Sequence, residues 1–340
     1  MRPTHGLFWA AACLMVLVAI TATTLCSSSA QRVLPGFSNP VIPGLWTPGR
    51  MAEAASVDKP APNDLGADAG ETDPEPAPVP AAPERASYHE FAPVIGKIFF
   101  DTPDGPSVCS GTAVEDPARP GGSSLVWTAG HCVHGGAGGT WFRNIVFVPL
   151  YNDEALRGPD RQAAGQDRIA PFGIWWADQA ETSPEWIAEG ASTGGDGSPS
   201  DFAVLHVTRQ GGGASLQETT GAAAPVWFEA PSATQVPAMK AWGYPAAEPF
   251  DGELMFSCQD RPGRLSVRAD RPPLYRIGCT MNGGASGGGW FAQRPDGMLA
   301  LVGNTSIGPV SGTWLAGPRL GAGARAVYQS VSARAASDES

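Results

Sequence analysis

The chain has 340 residues, of which 42% are hydrophobic, enough for one large folded domain or two small ones with ample core. Its formal charge of −11 excludes nucleic acid or an acidic membrane as the main partner, because both need a basic face.

Arg2 and His5 precede an apolar run from Leu7 to Ala22, and small polar residues follow. This is the pattern of a secretory signal, with Ser28-Ser-Ala30 as the cleavage site before Gln31. Residues 1–30 are read as a signal peptide and the product as secreted. If the leader is kept, it anchors the chain at the outer face of the membrane. The run is short for a spanning helix and no other is long enough, so no stable membrane insertion is expected after cleavage. Residues 31–87 turn to Pro, Ala, Asp and Glu, with few aromatics. Such a composition buries too little surface to offset ordering, so disorder is expected there, as a removable pro-segment or a linker.

Folded character begins near Tyr88. Val94–Phe100 is rich in β-formers, and Asp101-Thr-Pro-Asp-Gly105 is a turn signal. Val108–Val114 is the next expected strand, and Leu125–Thr128 a short buried one that delivers Ala129-Gly-His131-Cys132. Further strands are expected at Ile145–Leu150, Phe172–Trp176, Phe202–Val207, Ala224–Phe228, Ala238–Gly243, Arg264–Val267, Leu274–Gly278 and Leu299–Val302. Helical periodicity is confined to Thr182–Gly190 and a turn after Gly323. The pattern is all-β, a sandwich or barrels, without an internal repeat.

Four of the six cysteines, Cys109, Cys132, Cys258 and Cys279, lie beyond the leader. Four can pair in three ways, and export favours disulfides. Sequential pairing is the favoured choice; each loop of about twenty residues would then contribute roughly 3 kcal/mol in the chain-entropy view. No Cys-x-x-Cys spacing occurs, and no metal or cofactor site is assigned.

Chemistry gathers at Cys279-Thr-Met-Asn-Gly-Gly-Ala-Ser-Gly-Gly-Gly-Trp290, where five glycines surround Ser286. Glycines at such density serve positive φ or close approach, which suits a nucleophile flanked by bare N–H groups. The alternative is a glycine-rich turn with an incidental serine. Serine needs a base and an orienting group. All five histidines (His5, His89, His131, His134, His206) precede Ser286. Gly284-Ala-Ser-Gly-Gly288 also fits the G-x-S-x-G elbow, but that architecture places its histidine after the serine, so chain order excludes it. The order His, Asp, Ser survives. Asp201 opens the apolar segment Asp201–Val207, which suits a partly buried carboxylate that orients a histidine; Asp196 is a rival acid. His134 reads as a loop residue and His206 as a packed or surface side chain.

Cys109-Ser-Gly-Thr-Ala-Val114, Trp127-Thr-Ala-Gly-His-Cys132, Asp201-Phe-Ala-Val-Leu205 and Gly283-Gly-Ala-Ser-Gly-Gly288 resemble the trypsin-like serine peptidases in order and context. Cys109 also sits where that family places the partner of Cys132. Trp242-Gly-Tyr-Pro245 is similar to the bacterial V8 or glutamyl-endopeptidase branch. The resemblance spans roughly residues 90–330. It implies two packed six-stranded antiparallel β-barrels within a domain at residues 88–335, the first barrel about 88–225 and the second about 226–335. It further implies a secreted serine endopeptidase acting on protein or peptide substrates, with His131 as base, Asp201 as its orienting acid and Ser286 as nucleophile. Backbone N–H groups of Gly284 and Ser286 would hold the oxyanion, at roughly 3–4 kcal/mol per donor. The rival is a catalytically silent, peptide-binding relative of the same fold. Ala285 replaces the aspartate that digestive relatives pair with a new N-terminus, so that activation switch is not expected. Thr280, Asn282, Gly303, Asn304 and Thr305 are the expected pocket walls. They offer neither an acid for Arg or Lys nor a histidine for Glu, so no strong preference for these side chains is expected. A monomer is favoured.

Overall fold

The computed structural model describes residues 36–57, 59–62, 65 and 70–338; the expected signal peptide lies outside them. Among the described residues, fifteen strands follow one another: β1 (Ala55–Ser56), β2 (Ala82–Pro83), β3 (Ile95–Thr102), β4 (Gly105–Val114), β5 (Leu125–Thr128), β6 (Arg143–Pro149), β7 (Trp175–Thr182), β8 (Ala203–Arg209), β9 (Met239–Gly243), β10 (Phe256–Asp260), β11 (Gly263–Leu265), β12 (Leu274–Gly278), β13 (Gly289–Gln293), β14 (Leu299–Asn304) and β15 (Trp314–Gly317).

In the first half the strands pair in the order β4-β3-β6-β7-β8-β5, and β5 pairs back onto β4, closing a six-stranded antiparallel barrel. Closure leaves no free edge among those six. The β3–β4 hairpin turns at Pro103-Asp104, with Gly105 at φ +127°, as the turn signal requires. Inward side chains such as Ile98, Val126, Phe147, Trp175 and Leu205 fill the interior. The second half holds a five-stranded sheet, β14-β13-β9-β10-β2, and a three-stranded sheet, β11-β12-β15, around Met239, Tyr275, Ile277, Trp290 and Val302. The mostly β, few-helix architecture agrees with the expected two-barrel fold. The bonds Cys109–Cys132 and Cys258–Cys279 realise the sequential pairing, one in each half.

Sequence patterning misses β10, β13 and β15, and also β1 and β2, which fall in the stretch expected to be disordered. β13 opens on glycine because a Cβ at Gly289 would lie 2.4 Å from Thr112 Oγ1, so packing removes the β-branched signature a strand normally carries. The expected strand Ala224–Phe228 makes only isolated bridges, from Ala224 to Val114 and from Val226 to Leu301. It is the link between the halves. The turn after Gly323 is a helix, Ala322–Asp338, which buries Val327, Val331 and Ala335 and whose Tyr328 hydroxyl donates to Glu115 O.

The expectation of disorder for residues 31–87 is corrected wherever those residues are described. They belong to the same compact unit as the barrels. Trp46 is buried, its Nε1 donating to Asn144 O at 2.8 Å, and Asn39 Nδ2 donates to Ile145 O and Ala177 O. β1 adds in parallel to β4. Further on, Asp73 takes two hydrogen bonds from the Arg264 guanidinium, Val79 O accepts from Thr280 N, and β2 pairs with β10. Proline-rich chain needs no core of its own when a finished barrel supplies the partners for its carbonyls.

Trp46→Ala removes a buried indole and a hydrogen bond, and is expected to cost about 3–5 kcal/mol. A clear fall in the thermal midpoint of the full chain checks this; an unchanged midpoint would show that the segment is dispensable for the fold.

Candidate active site

His131 lies in a single 3₁₀ turn, Gly130–Cys132, at the end of β5. The Cys109–Cys132 bond ties that turn to β4. Space around the turn is tight: a Cβ at Gly130 would fall 2.7 Å from Thr182 Oγ1 and 2.8 Å from the Trp186 ring. Asp201 follows a second 3₁₀ turn, Ser198–Ser200, just before β8, and is fully buried. One carboxylate oxygen accepts from His131 N at 2.8 Å, and the other lies 2.7 Å from His131 Nδ1. That clasp fixes both the backbone and the ring. Ser306 Oγ donates to the second oxygen at 2.5 Å, Lys59 Nζ lies 3.3 Å from it, and Asn304 Nδ2 donates to Asp201 O at 3.1 Å.

Burial alone would raise the Asp201 carboxyl. The charges of His131 and Lys59, with hydrogen bonds from His131 and Ser306, instead hold it well below the usual carboxylate range. Asp201 is therefore an anion at neutral pH. With Nδ1 facing an anion, the His131 ring presents Nε2 as its free position, and this buried nitrogen has no hydrogen-bond partner.

Ser286 sits between β12 and β13 in a turn that only glycine permits. Gly284 (φ +94°) and Gly287 (φ +78°) are left-handed; added Cβ atoms would lie 2.5 Å from Tyr244 O and 2.1 Å from Thr128 Oγ1. At Gly288 the nearest atom, Trp242 O, would be 2.0 Å away. The glycines thus let the serine turn press against both halves. Ser110 of β4 fastens it: its N–H donates to Ser286 O at 2.7 Å, its hydroxyl donates to Gly284 O at 2.8 Å and accepts from Tyr244 N. The added Gly287 Cβ would also approach Ala129 N, so the serine turn abuts the end of β5 two residues before His131. Among the described residues, the N–H groups of Gly284 and Ser286 donate to no protein acceptor, and the Ser286 hydroxyl makes no hydrogen bond. A hydroxyl, an imidazole with a free nitrogen, a buried carboxylate and two unused N–H donors are the parts needed for acyl transfer.

Beside Ser286 opens a cavity of about 530 Å³. Of the expected walls, Thr280, Asn282 and Thr305 line it. Gly303 and Asn304 do not: Gly303 lies in β14, packed so that a Cβ would meet Pro318 O at 2.8 Å, and Asn304 is turned to Trp127 Nε1 and Asp201 O. The wall instead continues through Ser306, Ile307 and Gly308 to Trp314. A loop missed in the sequence, Ala247–Phe250, forms the opposite side, held by Asn282 Nδ2 to Ala247 O at 2.8 Å. Ser306 and Lys59 were likewise not anticipated as Asp201 partners. Neither carries a sequence signal, because each reaches Asp201 only through folding. Asp196 is no rival, since it faces Arg268 at 3.8 Å. His134 packs edge-on against Trp141, and His206 pairs with Asp178. The sulfurs next to His131 are joined in a disulfide and offer no thiolate to a metal.

No protein-family model and no curated protein matches the chain. Solved structures do. The thermostable serine protease AL20 from an extremophilic microorganism is 32% identical, covering 71% of this chain and 98% of its own, with a TM-score of 0.56. The protease Anisep from Arthrobacter nicotinovorans is 30% identical over 71% of this chain and 95% of its own, also with a TM-score of 0.56. A Glu endopeptidase in complex with MPD, 18% identical, covers 77% of this chain and 100% of its own at a TM-score of 0.51, and shares the fold.

A group whose folded pKa is depressed lends stability above its unfolded value, about 4 for Asp, and that stability is lost as pH falls from there toward the folded value. Asp201→Asn should therefore show a thermal midpoint that is lower at pH 7, where Lys59 loses its counter-ion, and flatter below about pH 4. Parallel midpoint curves for the two proteins would contradict this assignment.

Proposed function

The chain belongs to the trypsin-like serine peptidases, and from that premise we propose that it is a secreted endopeptidase that cuts through an acyl-enzyme, with His131, Asp201 and Ser286 as its triad. The observation that carries this reading is the two-point clasp of Asp201 on His131, which leaves Nε2 as the one ring position available to the Ser286 hydroxyl.

In this mechanism His131 Nε2 takes the Ser286 proton as Oγ attacks the scissile carbonyl carbon. The resulting imidazolium is balanced by Asp201, which stays ionised and holds the ring through Nδ1. The oxyanion forms against the N–H groups of Gly284 and Ser286, whose protein partners are absent among the described residues. His131 then returns the proton to the leaving amine, the C–N bond breaks and the amine departs. Water, deprotonated by the same nitrogen, attacks the ester carbon; the C–Oγ bond breaks, the nitrogen returns the proton to Ser286 Oγ, and the acid product leaves. Two disulfides and a leader-like N-terminus support export. No helix among the described residues is long and apolar enough to cross a membrane.

The cavity beside Ser286 limits the side chain accepted before the cut. Its walls at Thr280, Asn282, Thr305 and Ile307 carry no charge; of the charged residues on its lining, Lys59 is turned to Asp201 and Glu248 lies exposed on the Ala247–Phe250 loop. A cleavage profile on a peptide library, read by mass spectrometry, should show no dominance of Arg, Lys or Glu at that position. Dominance of Arg or Lys would make Glu248 their partner and overturn this reading, as would dominance of Glu.

A small fluorophosphonate should label Ser286 in the chain, and Ser286→Ala should abolish both labelling and peptide cleavage. Asp201→Asn should keep Ser286 in place but lower kcat by up to about 10⁴-fold, since the ring loses its orientation and counter-charge. Labelling of another residue, or cleavage surviving in Ser286→Ala, would refute the triad.

A further inference from the structure

The N-terminal segment does more than brace the barrels. At residues 59–61 it crosses the cleft beside Ser286, and Lys59 and Pro60 form part of the cavity wall. Pro60 O accepts from Gly194 N at 2.8 Å on one side, and Ala61 N donates to Gly308 O at 2.8 Å on the other. Gly194 precedes β8 in the first half, whereas Gly308 follows β14 in the second. The crossing is therefore pinned to both halves. Lys59 then turns inward, its side chain 2% exposed, 4.0 Å above the Trp186 ring, 3.3 Å from Asp201 Oδ2 and 3.5 Å from Ser198 Oγ.

We propose that residues 59–61 are an autoinhibitory strap that keeps the peptidase latent while Lys59 is seated on Asp201. The proposal rests on the catalytic reading above. Two physical effects support it. An extended peptide docks by pairing its backbone with an exposed edge next to the nucleophile. Gly308 O, on the cavity wall that holds Ser286, is already taken by Ala61. The second effect is electrostatic. A cation 3.3 Å from Asp201 offsets the negative charge that would stabilise an imidazolium forming on His131, and in a site closed to water that loss is weakly screened. The strap is also poorly placed to be cut. It bridges Gly308 in the parallel sense, Pro60 O faces Gly194, and among the described residues no strap carbonyl meets the N–H groups of Gly284 or Ser286. Burying a lysine is costly, and here burial pulls its pKa down despite Asp201.

The full-length chain tests this with two single substitutions. Lys59→Met keeps the side-chain length over Trp186 and removes the charge. Ala61→Pro removes the N–H that occupies Gly308 O. Near-ultraviolet circular dichroism identifies which variants keep the native fold. Each folded variant should cleave an extended peptide about tenfold faster than the wild-type chain, the scale of one hydrogen bond. Labelling of Ser286 by a small fluorophosphonate should rise in parallel in Lys59→Met. Cleavage that is unchanged or slower in a folded variant, with Ser286 still labelled, overturns the strap and leaves the triad standing. Ser286 inert to the probe in all three chains overturns both.

Discussion

A single buried carboxylate organises this molecule. Asp201 is fully removed from solvent and survives as an anion because four groups converge on its two oxygens: the His131 N–H, the His131 ring, the Ser306 hydroxyl and the Lys59 ammonium. An isolated ion in that position would carry a desolvation penalty of several kcal/mol. The partners come from three separate parts of the chain: the end of β5, the segment after β14 and the N-terminal segment. Burying the charge therefore draws together the two halves and the strap. The fold and the site share one constraint.

The seam between the halves shows the same economy. Ser110, one residue after a disulfide-bonded cysteine, uses both its backbone and its side chain to hold the turn that carries Ser286. Gly287 and Gly288 let that turn approach within a distance no side chain would allow. The indole of Trp127, donating to Asn304, adds a further tie across the same seam. A nucleophile positioned this way sits in a turn pinned to a strand of the other half, which favours the fixed geometry that acyl transfer demands.

The N-terminal segment alters how the site is understood. Its proline-rich course lies over the first half through Asn39 and Trp46, crosses the cleft at Lys59-Pro60-Ala61, and lies over the second half from Asp73 to Glu84. Structure in such a stretch comes from borrowed partners: among its described residues, carbonyls such as Pro60, Asp73 and Val79 and the carboxylates of Asp73 and Glu84 find donors on the barrels.

Local chemistry made much of this legible before any fold was known. Thr-Ala-Gly-His-Cys, the carboxylate ahead of an apolar strand and the glycine cluster around Ser286 each carry their meaning in adjacent residues, and β-rich runs between turn signals placed most strands of the first barrel. Chain order alone removed the competing elbow architecture. Other features were decided only in three dimensions. β13 hides behind a glycine because Thr112 crowds it. Ser306 and Lys59 reach Asp201 from about 105 and 142 residues away. The cavity wall runs past Thr305 to Trp314, and the proline-rich segment is ordered by surfaces it does not itself encode. A sequence determines what each short stretch prefers. Which distant group neutralises a buried charge, and which surface a coreless segment lies on, is settled when the folded chain removes them from water together.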